Sequence, residues 1–159
     1  MCRNDAADRK SLRRTRILIV ENHPVIRQAL VELVNQQPDL MVCAEADSAS
    51  GISGNIDQQQ IDMAIIDLSL KGSTGACLVE ELRVKWPSMP ILVLSLDDHS
   101  ASCERAFKAG AMGYVVKHEI ASAIVPAIRQ VLGGKVYISE KTAARLAHAG
   151  VNCGRFSQV

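Results

Sequence analysis

The chain has 159 residues, 48% hydrophobic but only 3% aromatic, with a formal net charge of +1 at neutral pH. That is length for one domain and a small appendage around an aliphatic core, with no global electrostatic basis for binding nucleic acid or a membrane surface. Five scattered cysteines without a Cys-x-x-Cys pair oppose a disulfide framework and a zinc site and fit a reducing, cytoplasmic setting; no run approaches the roughly 18–20 apolar residues of a membrane span.

Residues 1–15 read as a flexible basic leader. The first 16 residues hold six basic and two acidic side chains, a net +4 that leaves −3 for the remainder, and no apolar segment marks a secretory signal. Arg16-Ile17-Leu18-Ile19-Val20 predicts a first strand, ending at Glu21-Asn22-His23. Pro24 then opens an amphipathic helix with Val25, Ala29, Leu30, Leu33 and Val34 near helical spacing, because a proline suits a first turn whose N–H has no partner. Gln37-Pro38-Asp39 breaks it, and 40–45 predicts a second strand. Residues 48–60, with Gly51 and Gly54 inside, make at best a short or irregular helix.

The third strand, 62–67, is an apolar run that ends in the carboxylate of Asp67. A helix over 74–86 is stopped by Pro87 and Pro90, a fourth strand covers 91–95, and a helix over 99–109 stops at Gly110. A fifth strand, 112–116, runs into Lys117-His118. The helix over 121–133 contains Pro126; with Ser122 as its cap, that proline falls near the fourth helical position, where a kink is tolerable. Gly133-Gly134 ends it, and 139–149 predicts one more helix with Ala143, Ala144 and Leu146 as its apolar face.

Strand–helix alternation with short connections implies a parallel sheet covered by helices on both faces. Such sheets bind ligands beyond the carboxyl ends of their strands. Glu21 and Asn22, Asp67, Ser95 and Lys117 should therefore crowd one edge. Taken singly, Asp67 reads equally as a turn acid or helix cap, Ser95 as a cap, and Lys117 and Glu21 as solvated charges. Together they form an oxygen-rich site for Mg²⁺ beside a carboxylate able to attack phosphorus, with an ammonium and a hydroxyl to receive a phosphoryl group. His23 reads as a turn residue, Asp97-Asp98-His99 as a loop and helix start, and Gly72 and Gly75 as parts of a turn. His118 and His148 have no partner in spacing.

On these residues the chain resembles the response regulator receiver domain over roughly 16–134. The pieces that carry the likeness are the acidic-pair position Glu21-Asn22, the phospho-acceptor position Asp67, the hydroxyl Ser95, the switch aromatic Tyr114 and Lys117. Residues 19–30 and the segment Gly133-Gly134-Lys135-Val136-Tyr137-Ile138-Ser139 are similar to the NarL/FixJ-like subgroup, whose receivers precede a LuxR-type helix-turn-helix domain. The resemblance implies a flavodoxin-like (βα)5 sandwich with strand order 2-1-3-4-5. It implies phosphate arriving on Asp67 from a sensor histidine kinase, and Mg²⁺ held by Glu21, Asn22, Asp67 and the Ser69 backbone carbonyl. It further implies Ser95 and Tyr114 moving on phosphorylation, and a possible homodimer through helix 99–109, strand 112–116 and helix 121–133.

The main departure is Asn22, where the family places an acid. Losing one negative charge beside a divalent ion weakens binding by on the order of a few kcal/mol, so weak Mg²⁺ affinity is expected. The alternative reading is a phosphorylation-independent receiver acting as a constitutive interaction module. Lys71 stands where proline is common. A phosphohydrolase would need a second acid at Ser69, and a flavin carrier an exposed aromatic pair, so the chain reads as a non-enzyme capable at most of self-phosphorylation and self-dephosphorylation. Residues 135–159 read as a linker helix and the start of a connector to an absent output domain; the chain is then either the receiver portion of a longer regulator, whose output domain would bind DNA, or a stand-alone receiver.

Overall fold

The computed structural model describes residues 13–52, 56, 60–72, 74–152 and 154. Residues 1–12 of the expected leader and most of the connector after 152 lie outside them; the leader's last residues are not flexible, since Arg13 pairs with Asp62 at 3.1 Å and Thr15 begins β1 opposite Leu40. Six strands and five α-helices follow in order: β1 Thr15–Val20, α1 Pro24–Asn35, β2 Leu40–Ala46, β3 Met63–Asp67, α2 Gly75–Lys85, β4 Ile91–Ser95, α3 Ser100–Ala109, β5 Gly113–Val116, α4 Ile120–Leu132, β6 Tyr137–Ile138 and α5 Glu140–His148. Single 3-10 turns sit at Ala49–Gly51 and Lys117–Glu119.

All strands are parallel, in the order β2-β1-β3-β4-β5-β6. The first five stand in the expected 2-1-3-4-5 order, and the sixth is an addition. The segment 133–139, expected from its resemblance to be linker, contains this strand, whose residues Tyr137-Ile138 suit a sheet. Register explains why distant residues meet. Val20 pairs with Ile66, Ile66 with Val93, and Val93 with Tyr114. One step beyond that row lie Glu21 and Asp67, and one or two steps further lie Ser95 and Lys117.

Side-chain alternation along the buried strands sorts the core into two layers. Leu18, Val20, Ala64, Ile66, Ile91, Val93 and Tyr114 face α2, α3 and α5. Ile17, Ile19, Met63, Ile65, Leu92, Leu94 and Val115 face α1 and α4. The near-continuous apolar strand sequences follow from burial on both faces.

Several local expectations change. The described part of 48–60 holds only the turn at Ala49–Gly51, consistent with its glycines. Helix α4 begins at Ile120, behind the turn Lys117–Glu119, so Ser122 is inside the helix and not its cap. Pro126 is consequently the seventh helical residue, and it is exposed, where the lost hydrogen bond faces solvent. Gly110 does end α3, with φ 111°, a left-handed position that suits glycine.

Helix α5 is docked, not free. Ser139 caps it by accepting from the Thr142 N–H (3.2 Å). Its buried stripe is Thr142 and Leu146, while Ala144, assigned to the apolar face from sequence, is exposed. Leu146 enters the layer that contains Tyr114, and Arg145 pairs with Asp98 at 2.7 Å in the loop after β4. Burial should dominate this docking, because an exposed ion pair contributes little. Leu146→Ala is expected to lower stability by ~2–5 kcal/mol in urea unfolding and Arg145→Ala by less than ~1 kcal/mol. The reverse ranking would mean that the ion pair holds the helix.

Candidate functional site

Glu21 follows β1, Asp67 ends β3, and Lys117 follows β5, so three strand ends deliver two acids and one base to a single point. The Lys117 ammonium lies 2.9 Å from Oε2 and 3.1 Å from Oε1 of Glu21, and 3.0 Å from Oδ2 of Asp67. Both carboxylates are fully buried and Lys117 is nearly so. Two like charges in a place with little water require a cation between them, and Lys117 is that cation.

The backbone completes the cradle. Ser69 N–H donates to Asp67 Oδ1 at 2.9 Å, and His23 N–H donates to Glu21 Oε1 at 2.9 Å. Arg27 donates to the Glu21 carbonyl at 2.7 Å and fixes the end of β1. Gly75 opens α2 directly against the Asp67 carbonyl and Leu68 Cα, and a Cβ there would collide with that backbone. This glycine therefore has a packing role at the site beyond the turn role read from sequence.

The two carboxylates respond differently to this environment. Burial raises the pKa of Asp67 and the nearby Glu21 charge adds to that rise; the Ser69 N–H and Lys117 oppose it only in part, so its pKa stands above the ordinary value. Burial also pushes Glu21 upward, but the His23 N–H, Lys117 and the His23 ring together outweigh it and hold its pKa below the ordinary value. The pair thus carries opposite pH dependences. Glu21 supports folding above its unfolded value, and that support is lost as pH falls through its lowered pKa; ionised Asp67 opposes folding, a cost relieved as pH falls through its raised pKa.

The other residues singled out from sequence lie around this centre. Ser95 is buried at the end of β4, and its hydroxyl accepts from the Asp97 N–H (3.3 Å). Tyr114 is fully buried and its hydroxyl donates to the Asp97 carbonyl at 2.7 Å. It therefore holds the loop after Ser95 and does not contact the acids. Burial keeps its phenol well above the usual range. Asn22 Oδ1 is buried without a hydrogen-bond partner, and Glu21 Oε2 and Asp67 Oδ2 meet Lys117 as ion pairs outside hydrogen-bond geometry. The two carboxylate oxygens at one point, with the Asn22 amide next to Glu21 in the chain, fit a hard divalent cation.

His23 stands in the turn between β1 and α1, as expected, and its side chain has a further role there. It occupies the cap position of α1 but makes no side-chain cap bond. Its Nδ1 instead lies 2.9 Å from Glu21 Oε1 and 3.3 Å from the Lys117 ammonium. Glu21, His23 and Asp67 offer ligand atoms within 4.8 Å of one another. The sequence signal was position: His23 sits two residues beyond Glu21, and a turn before a proline-led helix folds it back. His99 stays at the start of α3, paired with Asp97 at 3.3 Å, and Lys71 is exposed.

A family model described as the response regulator receiver domain matches residues 17–129. The chain is 29% identical over 131 residues to the nitrate/nitrite response regulator protein NarL of Escherichia coli (strain K12), covering 82% of this chain and 61% of that protein. It is equally similar to the DNA-binding transcriptional activator DevR/DosR of Mycobacterium tuberculosis, 29% over 131 residues, covering 82% and 60%. A LuxR-family two-component response regulator from Aurantimonas sp. superposes with a TM-score of 0.81 at 30% identity, covering 87% of this chain and 99% of that one. The chain thus spans 61% of the length of the first of these curated relatives.

The electrostatics of the cradle lead to a direct test in metal-free buffer. Lys117→Met leaves two buried carboxylates facing each other and should lower stability at neutral pH by ~3–5 kcal/mol, with the loss shrinking as acid protonates them. Asp67→Asn should instead stabilise the fold at neutral pH, by a margin that shrinks as pH falls through the raised Asp67 pKa. Urea unfolding across pH checks both signs, and a destabilised Asp67→Asn would contradict the assignment.

Proposed function

The chain belongs to the response regulator receiver family, and on that premise we propose that it is a phospho-accepting switch of two-component signalling. The observation that carries this reading is the shared position of Asp67, Lys117 and Ser95 at one sheet edge, with Lys117 already against the acceptor carboxylate. Asp67 attacks the phosphorus of a sensor kinase's phosphohistidine. An O–P bond forms while the P–N bond breaks, and the imidazole leaves with the electron pair and takes up a proton, which yields an acyl phosphate. Glu21, Asn22, Asp67 and the Ser69 carbonyl are the groups that would hold Mg²⁺. That ion, when bound, neutralises phosphoryl oxygens.

Asp67 is 0% exposed in this state, so the groups around it must shift before a donor reaches it. Phosphorylation then replaces a carboxylate by a group of greater charge and more acceptor oxygens. Lys117 is drawn to the new anion and Ser95 donates its hydroxyl to it. Ser95 cannot turn without disturbing its bond to Asp97, whose carbonyl holds Tyr114 and whose neighbour Asp98 holds Arg145 of α5. The charge change at Asp67 thereby biases the position of Tyr114 and the seating of α5, a two-state element in the sense required of a switch.

The face of α3, β5 and α4 is the surface proposed for homodimer formation. Transcription control through a DNA-binding output domain is proposed for a longer regulator that contains these residues. The length of the relatives and the DNA-binding activator among them support this. Among the described residues no helix is long and apolar enough to cross a membrane, which agrees with a cytoplasmic partner for the kinase. A second reading, a constitutive interaction module, draws on Asn22 and on the fact that the Lys117 ammonium already bridges both carboxylates, offsetting one of their two charges.

Acetyl phosphate with Mg²⁺ should add the mass of one phosphoryl group to the chain and none to Asp67→Asn. Asn22→Asp should tighten Mg²⁺ by ~10-fold or more in calorimetric titration. Absence of phosphoryl transfer in both the natural chain and Asn22→Asp, with a folded protein, would favour the constitutive module.

A further inference from the structure

We infer that His23 is a ligand of this cation site and that, with Asn22 beside it, the site prefers a first-row transition ion such as Mn²⁺ or Co²⁺ over Mg²⁺. The inference rests on the metal-binding part of the proposed function and assigns the ion and the residue that selects it.

The geometry comes first. One cation, the Lys117 ammonium, already lies within 2.9–3.3 Å of donor atoms from Glu21, Asp67 and His23, so the three groups converge on one point. His23 reaches that point although it stands where a side chain would ordinarily cap α1; its ring makes no cap bond and turns to Glu21 instead. The second observation is the oxygen set. Glu21 Oε2 and Asp67 Oδ2 belong to fully buried residues and meet the Lys117 ammonium as ion pairs without a hydrogen bond, and the Oδ1 atom of half-buried Asn22 has no hydrogen-bond partner.

The chemistry follows from the donor types. Mg²⁺ takes hard, preferably anionic oxygen, and here one of the consecutive ligand positions is a neutral amide. Imidazole nitrogen adds little for Mg²⁺ but much for ions later in the first row, whose affinities rise along the series toward copper. Exchanging an anionic oxygen for an amide and adding a nitrogen therefore lowers Mg²⁺ affinity and leaves transition-ion affinity largely intact. For His23 to bind, Nδ1 leaves its contact with Glu21 and turns its lone pair to the ion, and the Lys117 ammonium yields the central position. His23 is half-exposed, with its side chain 48% accessible, so it can reorient without repacking the core.

Calorimetric titration of the intact chain at about pH 7.5 with the chlorides of Mg²⁺, Mn²⁺ and Co²⁺ tests this. Co²⁺ should bind at least ~10-fold tighter than Mg²⁺, and His23→Ala should cost ~10-fold or more for Co²⁺ while moving Mg²⁺ by less than ~2-fold. Pulsed EPR of the Mn²⁺-loaded protein should show nitrogen coupling from one imidazole, lost in His23→Ala and in His23→Gln. Both variants keep the backbone N–H that Glu21 uses, so thermal unfolding in EDTA should stay near that of the natural chain. Mg²⁺ binding as tightly as Co²⁺, or His23→Ala leaving both affinities unchanged, overturns the role of His23 alone. No measurable binding of any of the three ions to the folded chain overturns the metal site itself, and this inference with it.

Discussion

A single ammonium group holds the functional edge of this molecule together. Lys117 joins Glu21, 96 residues earlier in the chain, to Asp67 on another strand, and without it two buried carboxylates would repel each other in a place with little water. Coulomb attraction at about 3 Å in a partly desolvated site is large, yet much of it only offsets desolvation. The arrangement is therefore poised and not deeply stabilised. Any group that competes for the ammonium, a divalent ion or a phosphoryl anion, changes the balance between the three strand ends.

That balance is connected to the rest of the domain by short links. Glu21 is tied through its carbonyl to Arg27 in α1, and Asp67 through Gly75 to the start of α2. Ser95 is one hydrogen bond from Asp97, which anchors Tyr114, and Tyr114 packs in the same layer as Leu146. Helix α5 also reaches the loop after β4 through Arg145. The last helix of the described chain therefore rests on the segment that phosphorylation of Asp67 is proposed to move.

Much of this was legible in sequence because burial on both faces leaves a strong mark. The runs ending at Val20, Asp67, Ser95 and Val116 are apolar without alternation, and only central parallel strands need that. Placing the polar residue after each run at one edge required no side-chain information. What stayed hidden depended on neighbours distant in sequence. Tyr137-Ile138 becomes a strand only because β5 leaves a free edge for it. The start of α4 moved because the turn Lys117–Glu119 leads into it, a choice local propensity does not make. His23 was missed because its role arises from where Glu21 and Lys117 lie in space, and spacing alone made it a turn residue.

Asp67 and Glu21 form one electrostatic unit with Lys117 between them, and a carbon-detected NMR titration of the side-chain carboxyls in metal-free buffer reads that coupling. Asp67 should titrate above the ordinary range of an aspartate and Glu21 below that of a glutamate, each responding to the other's protonation. Independent titration of both at their ordinary values would contradict it.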